Sequence, residues 1–267
     1  MAVAVQRFGD DADILVTALN MIGEMCACFG AAMDTLVAPS ALVPLLGDVV
    51  ALPAPDIRRA ALGLVGDLAA ACPACLRGAL PALAPVLARN LDARFPCVAT
   101  NAAWALGEVA RRDCAPLAPV LPEALPRLLV LLCAPAPPAE PSLPYNAAIT
   151  LGRLALARPA DIAPRAAAVN VFPVWCKVLS ELQEGPEQRD AAAGLCNVCV
   201  ACPQQVAPMF SYALLVFAYC SLVPVCCFCL FSLDVVVFTA LDVFACFFFF
   251  SPFSLFTGTS REGRTGS

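Results

Sequence analysis

Cysteine is the residue type of this sequence best suited to metal or redox chemistry, because histidine is absent from all 267 residues. Without histidine the chain lacks the commonest general base, the Ser-His and Cys-His dyads and every histidine-containing metal site. Two cysteine runs remain: CPAC at 72–75 is similar to a zinc or redox half-site, and CNVCVACP at 196–203 to part of an iron–sulfur run. Neither is completed, since no second CxxC has zinc-finger spacing to the first and the fourth cysteine of the cluster pattern is missing. Because free cysteine packs as a small apolar residue, we predict core positions, no metal ligands and no cofactor.

A second set of chemically capable residues lies in TNAAWALGEVARRD, residues 100–113. Asn101, Trp104 and Glu108 follow one another at steps of three and four, so they would share one face of a helix. An indole offers apolar and cation–π contact, a carboxylate offers charge, and an amide can bond a peptide backbone. The combination suits peptide binding, although a tryptophan on a helix is by itself more often a core residue. Trp175, in PVWCKVL, has less motif support and is predicted to be structural.

The helices that would carry these residues recur along the chain. Segments containing NMIGEM, GLVGDL, WALGEV and ITLGRL place Gly23, Gly66, Gly107 and Gly152 at intervals of 43, 41 and 45 residues. A fifth segment, AGLCNV, puts Cys196 at the glycine position. A period of this length with two helical segments per unit is typical of HEAT or armadillo-like solenoids. We therefore predict an all-α fold, a HEAT-repeat α-solenoid of about five helix pairs.

The second helix of each pair is predicted to be bent or broken. These segments cover residues 36–52, 72–92, 114–133 and 158–183, and prolines recur within them. A proline inside a helix removes a backbone hydrogen bond and kinks the helix.

We call Gly23, Gly66, Gly107, Gly152 and Cys196 the marker positions. The residues that directly follow them would form a ladder along one face of the stacked repeats. They are Glu24, Asp67, Glu108, Arg153 and Asn197. Three acids in succession would attract a basic peptide, while the alternative reading is that they are ordinary solvated helix positions.

The ordered series ADILVTALNMIGEM, DIRRAALGLVGDLAAAC, NAAWALGEV and NAAITLGRLALARP resembles the C-terminal part of the transportins, nuclear import receptors of the importin-beta family. The resemblance runs from about residue 11 to about residue 210. It implies a helical superhelix that holds the nuclear localisation signals of cargo proteins, signals that combine basic or hydrophobic residues with a later Arg and a Pro-Tyr pair. Trp104 and Asp67 match cargo-contacting positions, and Asn101, Glu108 and Asn146 are further candidates.

The same resemblance implies partners and a location. Ran GTPase and nucleoporins are expected partners of the full-length family, but we expect their sites to be largely missing from this chain, along with the acidic loop that couples Ran to cargo release. Asn20 and Ala27 stand where the family more often has acids, so charge attraction should be weaker there. The implied location is the cytoplasm and the nucleus.

Composition changes abruptly after CPQQVAPMF. Residues 211–260 contain two charged side chains, and the stretches 212–233 and 235–256 are long enough to form a transmembrane hairpin. Pro224 interrupts the first stretch, and Asp242 places a costly carboxylate inside the second. We predict a HEAT-repeat solenoid over 1–210 and an apolar tail over 211–267 that is not part of the native fold. Read-through of an intron would be one source of such a tail.

Charge and composition narrow the functional classes. The net charge of -5 opposes nucleic acid, and a hydrophobic content of 61% is enough for a large core. The leading hypothesis is a non-enzymatic nuclear import receptor fragment that binds localisation signals. The alternatives are a membrane-anchored helical scaffold, if the tail is taken at face value, and a metal or redox enzyme that uses the cysteines.

Overall fold

The computed structural model describes residues 11–203, and every regular element in this range is a helix. Five long helices carry the marked positions and are numbered in chain order. They are α1 (Ala12–Phe29), α2 (Pro55–Ala71), α3 (Pro96–Arg112), α4 (Leu143–Ala157) and α5 (Pro186–Ala201). Asp11 caps α1 by accepting hydrogen bonds from the N–H groups of Asp13 and Ile14. Proline begins α2, α3 and α5, where its missing N–H and fixed φ cost nothing.

The five marked helices stack side by side in sequence order, each against the next. Leu62, Leu106, Leu151 and Leu195 are each fully buried between neighbouring repeats. This arrangement confirms the predicted all-α solenoid. The first marked helix has no outer segment before it in the part of the chain that the structure describes, so four outer segments separate five inner helices.

The marker glycines allow the close approach of adjacent helices. A Cβ added at Gly66 would overlap the indole ring of Trp104, and one at Gly107 would overlap the side chain of Thr150. At the last interface a Cβ at Gly152 would overlap the backbone of Ala191, and one at Gly194 would overlap the backbone of Gly152, so neither position has room for a side chain. In the fifth marked helix the close contact is therefore made by Gly194. The repeat pattern had instead placed Cys196, two residues later, at the glycine position.

Side chains of each repeat also bond the backbone of the repeat before it. In every such side-chain-to-carbonyl bond between described residues of different repeats, the donor lies later in the chain than the acceptor. Those between marked helices join Asn101 to Arg59, Arg112 to Ala70, Asn146 to Thr100, Thr150 to Ala103 and Asn197 to Leu156. These bonds satisfy carbonyl groups with donors from outside their own helix and help to fix the register of the stack.

The outer segments are divided, as the prolines predict. Their pieces are Asp34–Val37 with Leu42–Val49, Pro73–Leu76 with Leu80–Arg89, a 3₁₀ turn Ala115–Val120 with Leu121–Cys133, and Pro159–Ala168 with Phe172–Glu181. The last pair meets at a bend of 111°. Asn170, with φ of 50°, ends the first of its two helices, and the N–H of Val171 bonds the carbonyl of Ala166. This is the left-handed helix end that asparagine tolerates better than most residues.

Trp175 is a core residue, as expected. Its side chain is fully buried, its Nε1 donates to the carbonyl of Ala148 at 3.1 Å, and its ring lies 6.4 Å from that of Phe172. It joins an outer helix to α4.

The cysteines that drew attention in the sequence are mostly inside the fold. Cys72, Cys196 and Cys199 are buried, whereas Cys75 is partly exposed. Burial raises the pKa of the thiols of Cys26 and Cys75 to about 12. Without a bound cation, burial therefore favours the neutral form of these two thiols.

Length and composition alone would allow two stretches of the described residues to cross a membrane. They are Ala12–Val37 and Ala115–Cys133, and the bent pair Pro159–Ala168 and Phe172–Glu181 would add a third if it formed one span. In the solenoid part of each stretch is buried, for example Leu19 in the first and Leu125 in the second. The predicted hairpin at 212–233 and 235–256 and the domain boundary at residue 210 lie outside the described residues.

Candidate functional site

A groove of about 560 Å³ runs across the exposed face of α1 and α2 and reaches the start of α3. Four carboxylates and one guanidinium line it, those of Asp13, Glu24, Asp56, Asp67 and Arg59. The excess of acid makes the groove suited to a cationic ligand.

Asp67 lies at the floor of this groove, partly buried. Its carboxylate fills the space beside Gly23 of α1, where a Cβ would overlap it. Two effects raise the pKa of Asp67 to about 6. Burial is the larger, and the charge of Glu24 is the smaller. A positively charged ligand would offset both penalties, because it would replace lost hydration and oppose the neighbouring charge.

Asn101 lines the same groove from α3. Its Nδ2 donates to the carbonyl of Arg59 in α2 at 2.8 Å. Its amide donor therefore holds two repeats together, and its side-chain oxygen is the atom that could accept a hydrogen bond from a ligand.

Trp104 lies one turn further along α3 and is partly exposed. Its ring packs directly over Gly66 of α2, the residue before Asp67. The indole thus covers the helix that carries the central carboxylate while part of its surface faces solvent. Trp104 does not itself line the groove.

Glu108 is placed differently from the open acidic ladder that the sequence predicted. Only 4% of its surface is exposed, and its carboxylate accepts from Arg153 at 2.7 Å and from Arg111 at 2.8 Å. Arg153 is 3% exposed and also lies 3.5 Å from Asp190. The physical reason is that Glu108, the residue after Gly107, meets Arg153, the residue after Gly152 in the next repeat. Because both are buried, each needs the other's charge as a partner.

Asn146 is partly exposed and lies outside the groove. Its Nδ2 donates to the carbonyl of Thr100 at 3.5 Å, repeating one interface later the bond that Asn101 makes. The structure therefore brings Asp67 and Asn101 together, sets Trp104 beside them, and separates Glu108 and Asn146 from the groove.

Three acids of the groove were not singled out by the sequence pattern as site residues. Asp13 and Asp56 occupy the first turns of α1 and α2, where acids are common because they favour the positive helix end. Glu24 follows a marker and was part of the expected ladder. The signal that could have found the first two is their similar place in successive repeats.

Comparisons with known proteins agree with the repeat fold. No protein-family model matches the chain. Transportin-1 of Oryza sativa subsp. japonica is 33% identical over 197 residues, and Transportin-1 of Homo sapiens is 28% identical over 202 residues. These matches cover 72% and 76% of this chain and 22% of each relative. Importin subunit beta-2 of Schizosaccharomyces pombe is 27% identical over 217 residues.

Two solved structures share the fold at low sequence identity. An engineered protein covers 78% of this chain and 85% of its own length, with a TM-score of 0.63 and 16% identity. Computationally designed armadillo repeat proteins for modular peptide recognition cover 80% of this chain and 89% of their own, with a TM-score of 0.60 and 18% identity. The chain spans about a fifth of the length of the curated relatives it matches. It is a helical-repeat solenoid related in sequence to the transportins and to importin subunit beta-2.

Proposed function

We propose that the chain is the cargo-binding portion of a nuclear import receptor and that the acidic groove on α1 and α2 binds a basic, extended peptide. The observation that carries the proposal is the position of Asp67, a half-buried carboxylate among three further acids on the exposed face of the repeats. A Lys or Arg side chain of a ligand would form a charge-assisted hydrogen bond there.

Trp104 supports the same assignment by supplying an apolar platform next to the acids. Trp104 is partly exposed and its ring packs over Gly66, so it can receive an aliphatic side chain, a proline or an arginine of a ligand. The names of the relatives, Transportin-1 and Importin subunit beta-2, favour a transport receptor over both an enzyme and a membrane-anchored scaffold.

The full receptor would pass between cytoplasm and nucleus, with Ran GTPase and nucleoporins as its other partners. A localisation signal with basic residues, a later Arg and a Pro-Tyr pair is the proposed ligand class. Glu108 and Asn146 have a supporting part in this proposal, because they hold the adjacent repeats in register through Arg153 and the Thr100 carbonyl.

The test is fluorescence anisotropy of the full chain with a labelled basic Pro-Tyr peptide, beside a peptide of the same length whose basic residues are replaced by Glu. The basic peptide should bind and the acidic one should not. Trp104→Ala should weaken binding by about 1 to 3 kcal/mol, because stacking and apolar contact are lost. Asp67→Asn should weaken it mainly at low salt, since salt screens an exposed charge attraction.

Asp48→Asn is the matched control, because Asp48 is an exposed aspartate on the outer helix Leu42–Val49 and lies outside the groove. Circular dichroism must show that all variants remain helical. Equal affinity of the wild type, Trp104→Ala and Asp67→Asn would remove both residues from the site and leave them structural.

A further inference from the structure

The first two repeats meet at a cluster of thiols and a carboxylate that the peptide groove does not use. Asp34 begins the short helix Asp34–Val37, Cys72 follows the last residue of α2, and Cys75 lies within the short helix Pro73–Leu76. One ligand atom from each of these three side chains lies within 4.8 Å of the other two. Among the described residues it is the one group of three or more potential metal ligands this close together.

The sulfur atoms already have the separation that a metal requires. The Sγ atoms of Cys72 and Cys75 are 4.0 Å apart, and a tetrahedral zinc ion with bonds of about 2.3 Å sets sulfur ligands about 3.8 Å apart. The turn that joins α2 to the next helix produces this spacing. It places Cys72 and Cys75 within one turn, and the Cys75 thiol also contacts the carbonyl of Cys72 at 2.9 Å.

Asp34 provides the second, independent indication. Its Oδ1 atom is buried and has no hydrogen-bond partner. An unpaired buried carboxylate oxygen is costly, and a bound cation would supply the missing partner. The thiol of Cys26, on α1, is buried and interacts with Cys72, so a third sulfur borders the same space.

We infer that Asp34, Cys72 and Cys75 bind one thiophilic divalent metal ion, with zinc the expected occupant. Two thiolates and a carboxylate are ligands that zinc accepts, whereas calcium and magnesium prefer sites made wholly of oxygen. The ion would tie the helix that follows α1 to the end of α2, and so would fix the first interface of the described repeats. The CPAC motif alone did not predict this site, because its completing ligand is a carboxylate 38 residues earlier, in a different repeat.

Cobalt titration of the reduced full chain tests the assignment, because Co²⁺ takes the ligands of zinc and its thiolate complexes absorb light. One Co²⁺ per chain should bind with thiolate-to-metal charge-transfer absorption, and Zn²⁺ should displace it, because tetrahedral thiolate sites favour zinc. Cys72→Ser and Asp34→Asn should each weaken binding at least tenfold. Cys28→Ser should leave it unchanged, since Cys28 is an exposed thiol on α1 outside the cluster.

A second measurement does not depend on how the variants fold. In the wild-type chain Zn²⁺ should slow alkylation of Cys75, read by mass spectrometry, while the exposed Cys28 and Cys133 react at the same rate with and without the ion. Absence of thiolate absorption, or alkylation of Cys75 that zinc does not slow, would overturn the site. Co²⁺ binding that survives both Cys72→Ser and Asp34→Asn would overturn it as well.

Discussion

Asp67 is a carboxyl group whose surroundings disfavour its charge. Its pKa is raised to about 6, first by burial and then by the charge of Glu24. The native state therefore holds this proton more tightly than the unfolded state does. Native stability should decline as pH rises from about 4 to about 6, with the full penalty present above pH 6.

Asp67→Asn removes that penalty, so this variant should be more stable than the wild type at pH 7 and equal to it at pH 4. Urea unfolding followed by circular dichroism at the two pH values measures the difference. Asp48→Asn, at an exposed position outside the groove, should show no such pH-dependent gain. A stabilisation of Asp67→Asn that persists at pH 4 would mean that charge is not the cause. Under the proposed function the same change lowers peptide affinity, so stability and binding should change in opposite directions.

Arg153 and Arg111 share one carboxylate but differ in burial, which makes them a matched pair. Arg153 is 3% exposed and Arg111 is 33% exposed in their ion pairs with Glu108. Arg153→Met should destabilise the chain by about 3 to 5 kcal/mol, because it leaves Glu108 buried with only its exposed partner. Arg111→Met should cost about 1 kcal/mol or less. Denaturant midpoints decide, and equal losses in the two variants would contradict the assigned role of burial.

The sequence could identify some residues of the candidate site because their neighbours are local. Asn101 and Trp104 share a helix face at a spacing that sequence displays directly. The environment of Glu108 could not be read in the same way, since its partner Arg153 stands 45 residues later and their contact depends on the register of two helices. For the same reason the CPAC motif did not point to Asp34, which lies in a different repeat.

The marked helices approach one another through glycine, and the α2–α3 interface shows how. A Cβ at Gly66 would overlap the Trp104 ring. Gly66→Ala should therefore destabilise the chain by about 1 to 3 kcal/mol, because the ring must move out of a packed interface. In the Trp104→Ala background the same change should cost much less, since the overlapping ring is gone.

Gly47→Ala is the control for Gly66→Ala. Gly47 lies inside the outer helix Leu42–Val49, and a Cβ there would meet nothing within 4 Å. This change should stabilise the chain by about 0.5 to 1 kcal/mol through helix propensity alone. Thermal unfolding of the four variants completes the comparison. A destabilising Gly66→Ala whose cost is unaltered by Trp104→Ala would contradict the proposed overlap.

At the level of helices, the sequence predicted the repeat because one interface recurs. A glycine every 41 to 45 residues indicates a close contact between each marked helix and its neighbour. The prolines predicted that the outer segments would be broken into shorter helices. The angle of a break could not be predicted from proline. The 111° bend depends on Asn170 and its left-handed φ, and a single asparagine between two apolar runs forms no motif that predicts such a bend.

For the molecule as a whole, we propose that the repeats fold without residues 211–267. The described helices bury their apolar residues against one another from Leu15 to Cys199. Residues 211–260 contain two charged side chains, and such a composition lowers solubility when it is exposed. A chain that ends at residue 210 should thus give a higher soluble yield with unchanged helical circular dichroism per residue of the solenoid.

A chain that ends at residue 190 is the control for that truncation. It removes most of α5, including the buried Leu195 and Val198 that pack on α4, and it should lower the unfolding midpoint. If ending the chain at residue 210 were as damaging, the tail would have to be counted as part of the core. The measurement is the denaturant midpoint of each chain that can be purified.

The side-chain-to-carbonyl bonds between repeats have a direction, and that direction matches the order in which a chain is made. In the side-chain-to-carbonyl bonds, from Asn101 bonding Arg59 to Asn197 bonding Leu156, the donor belongs to the repeat that leaves the ribosome later. The backbone carbonyls of each helix can therefore make their helical bonds first and then receive these donors from the next repeat. Synthesis at about 5 to 20 residues per second leaves seconds for each repeat to settle before the next arrives. For this class of bond, the direction is compatible with assembly from the first repeat to the last during translation.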